Sequence, residues 1–322
     1  MRIDPEKVRK NYQTIFDGKR VLLKFRASET EGLGHLSRMI TLADYLLKNG
    51  CNLLCAINSF EKAEKILKKE GLDVVVNDSL SDEEFLRGVA DDYKPDLIAI
   101  DEKRNYSVNF LKKLKEQSKL ICIDRIAEGY EVFDWIIMPN AHFNPEKYKG
   151  FENILWGWDW VLISKEILKL KPKESLPKEI KTIVVTTGGS DPKGVLFYIV
   201  EWLKECKKDV ILLVGESFKH RQRLKTIGLQ DNFRLVEYDP TYLLKGDIAI
   251  STFGVSVYEL IYLNVPVFCV GHTKENAEAC DTLAKRCNLV RSLGYFEEVN
   301  SLQLSPKRKG NEYEKNYKKK RN

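Results

Sequence analysis

A histidine set between glycines and an arginine, in Gly32-Leu33-Gly34-His35-Leu36-Ser37-Arg38, is where residue types and spacing first suggest chemistry. It follows the strand-like run Val21-Leu22-Leu23 and opens a helix-like run from Met39 to Leu47. Glycines let a backbone turn tightly and approach a ligand closely. The histidine falls at the start of the helix, where unpaired N–H groups and the helix dipole favour anions. A titratable base beside an anion site suits a phosphorylated or nucleotide-linked substrate. A glycine loop with a capping histidine has the same spelling, so the surrounding elements must decide.

Those elements alternate. Strand patterns at 20–24, 52–57, 72–76, 95–100, 119–123 and 135–138 are interleaved with helix patterns at 36–49, 60–70, 83–91 and 107–117. Ser81 followed by Glu84 reads as a capping box. The alternation breaks over 139–180, which carries four prolines and the lysine-rich stretch 169–173. It restarts with strands at 182–186, 210–214, 233–236, 247–251 and 265–270 and helices at 194–205, 219–227, 255–263 and 276–286. Alternating strands and helices predict α/β units with mostly parallel sheets. The expected organisation is an extension (1–19), a Rossmann-like domain (20–165), a linker (166–180), a second Rossmann-like domain (181–302) and a tail (303–322). A cleft between two such halves is the expected ligand site, because ligands sit beyond the carboxyl ends of parallel strands.

Further motifs fall at those strand ends. Gly188-Gly189-Ser190-Asp191-Pro192 could cradle a phosphate, or Ser190 or Asp191 could be plain helix caps with Pro192 in the first turn. In Ser251-Thr252-Phe253-Gly254-Val255-Ser256, Gly254 permits a turn and Ser256 sits near a helix N-terminus suited to a diphosphate. Glu259 follows a turn later and could accept both ribose hydroxyls, or merely complement the helix dipole. Asn276 suits a sugar amide or hydroxyl, or an N-cap. Asp101 and Asp124 both end strands, yet no cluster has metal-ligand spacing, so metal-independent chemistry without a cofactor is expected. The run Trp156-Gly157-Trp158-Asp159-Trp160 could stack on a sugar or base, or close the two domains together.

Composition narrows the class. The 322 residues are 43% hydrophobic and 31% charged, ordinary for a globular protein. No apolar run approaches the roughly 20 residues that span a bilayer, and the N-terminus lacks a signal-peptide pattern. Seven scattered cysteines without a CxxC pair point to reduced thiols and a cytoplasmic setting. The net charge of +6 resides in residues 303–322, where eight basic side chains meet two acidic ones. The body is therefore neutral and carries no basic excess for nucleic acid. The tail reads as disordered, either a solvated end or a contact for an anionic surface.

Taken together these residues resemble the UDP-2,4-diacetamido-2,4,6-trideoxy-β-L-altropyranose hydrolases of pseudaminic acid biosynthesis, and the related spore-coat polysaccharide proteins. The resemblance runs from about Val21 to Leu293. It rests on Gly32, Gly34, His35 and Arg38, on Gly188 to Asp191, on Ser251 with Glu259, on Asn276, and on Asn140-Ala141 and Gly157 with Leu162-Ile163. It implies a GT-B-like fold and a UDP-sugar substrate. His35 would activate the water that attacks the anomeric carbon, with Gly34, Arg38, Asp101, Asn140 and Asn276 on the sugar side. Gly188, Gly189, Ser190, Ser251, Gly254, Ser256 and Glu259 would hold UDP. Asp101-Glu102-Lys103 stands where the family carries Asp-His-Tyr, and Ala277 where Gln is usual. A glycosyltransferase on the same scaffold, or a non-catalytic nucleotide-sugar-binding protein, therefore remain alternatives.

Overall fold

The computed structural model describes residues 3–28, 34–78, 80–148 and 150–299. Gly32 of the histidine motif and the basic stretch 303–322 lie outside the described residues. The chain divides after Lys169 into two compact units.

The first unit runs α1 (Pro5–Phe16), β1 (Arg20–Phe25), α2 (Gly34–Lys48), β2 (Asn52–Asn58), α3 (Glu61–Lys69), β3 (Val74–Asn77), α4 (Asp82–Tyr93), β4 (Leu97–Asp101), α5 (Val108–Lys115), β5 (Lys119–Ile123), β6 (Trp135–Met138), β7 (Ile154–Trp156) and α6 (Lys165–Leu168). Its seven strands lie in the order β3-β2-β1-β4-β5-β6-β7, with every neighbouring pair parallel. In β1 the run Val21–Phe25 is buried throughout, as in a parallel sheet covered on both faces. Leu22, Ile98, Ile100, Leu120 and Ile136 share a core with Phe85 and Leu86 of α4 and with Phe110, Leu111 and Leu114 of α5. Each such side chain contributes about 1.5–3 kcal/mol of burial, so this layer holds the strand ends rigidly.

The second unit runs β8 (Thr182–Thr186), α7 (Val195–Trp202), β9 (Asp209–Val214), α8 (Arg221–Thr226), β10 (Phe233–Glu237), β11 (Ile248–Thr252), α9 (Val255–Tyr262), β12 (Val267–Gly271), α10 (Lys274–Arg286) and β13 (Val290–Tyr295). Its sheet is parallel, in the order β10-β9-β8-β11-β12-β13. In both units the strand order reverses beside the first strand, at β1/β4 and at β8/β11. Loops leave in opposite directions at such a point and open a crevice at the carboxyl ends.

Two features depart from the sequence pattern. Residues 5–16, inside the segment set apart as an extension, form α1. Asp4 caps it, Pro5 opens it, and Val8, Tyr12, Ile15 and Phe16 form its buried face. Tyr12 donates to the Trp160 carbonyl at 3.0 Å. The strands β7 and β13 escaped the pattern because β7 is only three residues long and Arg291, Ser292 and Gly294 interrupt the apolar run of β13. Within the first unit, Trp156 packs on Phe143, and Trp160 meets Tyr12 edge-on. Of the seven cysteines, all but Cys206 are buried.

Candidate functional site

In the first unit the site grows from α2. Leu36, Met39, Ala43 and Leu46 bury one face of this helix. His35 and Arg38, three residues apart, share another face of its first turn. Across the switch point, register pairs Phe25 at the end of β1 with Asp101 at the end of β4. This brings the Asp101 carboxylate, 1% exposed, under the first turn of α2.

Asp101 is held from three directions. Arg38 Nε donates to its Oδ2 at 2.7 Å, Arg38 Nη2 donates to its Oδ1 at 2.7 Å, and His35 Nδ1 lies 2.7 Å from Oδ1. Such a bidentate arginine pair is among the stronger charge-assisted arrangements. Burial alone would raise the Asp101 carboxyl. The Arg38 guanidinium and the hydrogen bonds from His35 and Arg38 outweigh it and hold the group below the usual carboxylate range. Arg38 is likewise subject to burial, which lowers it, but Asp101 and Asp124 raise it further, so it stays charged.

That ionisation assigns the imidazole tautomer. Nδ1 cannot both donate to Asp101 at 2.7 Å and accept from Arg38 Nη2 at 3.1 Å. In the neutral ring, with the carboxylate ionised and closer, Nδ1–H donates to Asp101, and one N–H of Arg38 Nη2 donates to the same carboxylate. In that neutral form Nε2 is left with its lone pair, the arrangement in which the histidine of a His–Asp pair can accept a proton. The His35 side chain keeps 15% of its surface exposed, enough for a substrate to reach it.

Asp124 completes the cluster. It sits just past β5 with φ 61°, a left-handed conformation that Asp tolerates better than most residues. From there Oδ2 accepts from Arg38 Nη1 at 2.5 Å and Oδ1 accepts from Asn140 Nδ2 at 3.3 Å. Asn140 Oδ1 in turn accepts from the Phe143 N–H at 2.9 Å. His35, Arg38, Asp101 and Asn140 thus form one connected network, with Gly34 as the exposed first residue of α2. Asp124 was legible only as a carboxylate ending a strand. Its role as the second partner of Arg38 depends on the fold.

The motifs of the second unit gather at the β8/β11 switch point and the end of β12. Gly188 takes φ 77°. Gly189 packs so closely on Gly215 that a Cβ there would lie 2.5 Å from the Gly189 carbonyl oxygen. The Ser190 carbonyl accepts from the Lys219 N–H at 3.1 Å. Ser251 is fully buried in β11, and its Oγ donates to the Thr252 carbonyl.

The structure corrects two readings here. Pro192 does not open a helix: α7 starts at Val195, after Gly194 with φ 65°. The Asp191 carboxylate reaches forward and accepts from the Val195 and Leu196 N–H groups, both at 2.9 Å. The N-terminus of α7 is therefore already filled by the chain's own anion. By contrast, α9 begins behind Gly254 with no side-chain cap, leaving Ser256 in its first turn. Glu259, 6% exposed, lies one turn further on. Asn276 is likewise not an N-cap. Thr273 caps α10 by accepting from the Asn276 N–H, so Asn276 is the third residue of that helix and half-buried.

Two successive Rossmann-like units with parallel sheets make this a protein of the GT-B fold class. No known family model matches the chain. It is 25% identical over 269 residues to the spore coat polysaccharide biosynthesis protein SpsG of Bacillus subtilis, covering 79% of this chain and 78% of that one. It is 24% identical over 300 residues to the uncharacterized protein MJ1062 of Methanocaldococcus jannaschii. That match covers 87% of this chain but only 58% of the relative's length. Among solved structures, the glycotransferase of kitacinnamycin matches with a TM-score of 0.58 at 12% identity, covering 84% of this chain and 85% of that one. A putative UDP-N-acetylglucosamine 2-epimerase from Listeria monocytogenes matches at 0.53 and 12% identity, covering 87% and 85%. Likeness at these identities is likeness of fold. Among the described residues no helix is long and apolar enough to cross a membrane.

Proposed function

We propose that the chain cleaves a UDP-sugar by water attack at the anomeric carbon, within polysaccharide or nonulosonic acid biosynthesis. The observation that carries this reading is the His35–Asp101 pair at the β1/β4 switch point, which leaves Nε2 as a positioned base. His35 Nε2 takes a proton from water as its oxygen bonds to the anomeric carbon. The bond from that carbon to the UDP oxygen breaks, and its electron pair leaves with the diphosphate. The leaving charge needs stabilisation more than protonation, and the open N-terminus of α9 at Gly254–Ser256 supplies it. Glu259 accepts from the ribose hydroxyls, Ser251 and the Gly188-Gly189-Ser190 loop border the nucleotide, and Asn276 faces the sugar. Arg38, Asp124 and Asn140 hold the acid–base pair in place. The relation to a spore coat polysaccharide biosynthesis protein supports the pathway class.

The fold shared with glycosyltransferases favours one second reading, in which a sugar hydroxyl replaces water at the same base. The deciding experiment is UDP release from a panel of UDP-sugars without acceptor, with NMR of the product. Fast release of free reducing sugar supports hydrolysis. UDP binding without release until an acceptor is added supports transfer. Activity abolished by EDTA and restored by Mg²⁺ would refute metal independence.

The donor loop offers a separate test. Gly215→Ala places a methyl against the Gly189 backbone, where a Cβ would lie 2.6 Å from the Gly189 Cα. Overpacking of this kind costs about 1–3 kcal/mol. If the loop yields, UDP affinity should fall roughly tenfold, measured by titration calorimetry. Unchanged affinity would take the Gly188–Ser190 loop out of the nucleotide site.

A further inference from the structure

We propose that a polar recess beside the His35–Asp101 cluster binds an oxyanion, a carboxylate or phosphate group carried by a saccharide. The recess holds about 340 Å³ at the carboxyl ends of β1, β2 and β3, and its wall includes Arg26, Asn58, Asn77, Asp78, Asp82 and Arg104. Open parallel sheets bind ligands at this edge.

Most of its polar groups are already committed. Asn58 accepts from the Ala27 N–H and donates to the Ala27 carbonyl. Asn77 does the same with Leu80. Asp82 accepts from Arg26 Nη1 at 3.0 Å through one oxygen and from Arg104 Nη1 at 2.9 Å through the other. One carboxylate thus fastens two guanidinium groups at the recess. A guanidinium carries five N–H donors in a rigid fork. Each of these spends one Nη on Asp82, leaving donors of the geometry that suits carboxylate and phosphate.

A buried ion pair reaches the same Asp82 carboxylate from the core. Lys24 is fully buried, its Nζ 2.8 Å from Glu102 Oε2 and 4.0 Å from Asp82 Oδ1. Glu102, 1% exposed, also accepts from the Tyr106 hydroxyl. Among the described residues, Lys24 pairs with Glu102, Arg26 and Arg104 pair with Asp82, and Asp78 stands on the wall, so three positive and three negative groups balance and the spare guanidinium donors, not a net charge, are what the recess offers an oxyanion. A buried ion network is commonly no more stable than an apolar core of equal volume. Lys24 does not line the recess; with its partner Glu102 it backs the Asp82 carboxylate that both guanidinium groups share.

Position ties the recess to the chemistry. Arg26 follows directly on the Phe25–Asp101 register pair, and Arg104 comes three residues after Asp101. The recess lies on the β2/β3 side of Asp101, whereas Asp124 and Asn140 lie past β5 and β6. The inference rests on the nucleotide-sugar reading only in assigning the oxyanion to a saccharide.

The test is a calorimetric titration of the full chain with glucuronate, inorganic phosphate and, as neutral control, glucose. Glucuronate or phosphate should bind and glucose should not; the tighter of the two anions identifies the group. Arg26→Gln with Arg104→Gln should weaken that binding tenfold or more and leave UDP affinity unchanged. Asp78→Asn, which disturbs neither Asp82 ion pair, should tighten it, and it decides the question if the double variant melts early. Glucose binding as well as glucuronate, weaker anion binding in Asp78→Asn, or no anion binding in the parent would each overturn the proposal. A parent that binds anions but not UDP would overturn the nucleotide-sugar reading instead.

Discussion

His35→Ala should lower UDP release from the cognate UDP-sugar by roughly 10²- to 10⁴-fold, the usual contribution of a positioned general base. UDP affinity should change little, because the residues proposed to hold UDP belong to the second unit while His35 lies in the first turn of α2 in the first. Substitution should also be structurally mild, since the imidazole retains 15% exposure and lies off the buried face of α2. Steady-state release assays beside UDP titrations read the two effects separately. A variant that turns over like the parent would remove His35 from the role of base.

Asp101→Asn should cost both activity and stability. An amide at this position can donate to Nδ1, and Arg38 Nη2 already lies 3.1 Å from that nitrogen. Nδ1 would then accept, the proton would move to Nε2, and the base would be blocked. Loss of the orienting Asp costs about 10⁴-fold in Ser-His-Asp hydrolases, and a comparable loss is expected here. For stability, removing one partner of a buried pair costs about 3–5 kcal/mol. The lower end applies, because Arg38 keeps Asp124. The pH dependence has a definite sign. Asp101 is held below the ordinary carboxylate value of about 3.9. Its ionised form therefore contributes stability that is fully present above that value and is lost as pH falls through the depressed one. The gap in denaturant midpoint between parent and variant should be widest near neutral pH and should close only below about pH 4. A constant gap down to pH 2 would contradict the assignment.

Much of this molecule is written in local pattern. The buried runs Val21–Phe25 and Ile183–Thr186 read as strands because parallel strands are apolar on both faces, and the Ser81–Glu84 capping box is present as spelled. His35 and Arg38 were legible as a pair because three residues make one helical turn. Such signals depend only on neighbours in the chain, so they survive without the fold. The α/β class follows from their alternation, and the strand ends where Asp101 and Ser251 fall follow from where each apolar run stops.

Tertiary structure decided what distance along the chain conceals. Asp101 lies 66 residues from His35, and only the β1/β4 register brings its carboxylate within 2.7 Å of the ring. That contact selects the tautomer, which no sequence encodes locally. Asp191 and Asn276 were ambiguous caps, and packing resolved both: Asp191 fills the start of α7, and Thr273 takes the cap that Asn276 would have held. Lys24 is a charge within an apolar strand whose partner, Glu102, is 78 residues away. The reason is the same in each case. Helical and strand periodicity is set by bonds between near neighbours, whereas ionisation, hydrogen-bond direction and burial are set by whichever groups the fold brings into contact.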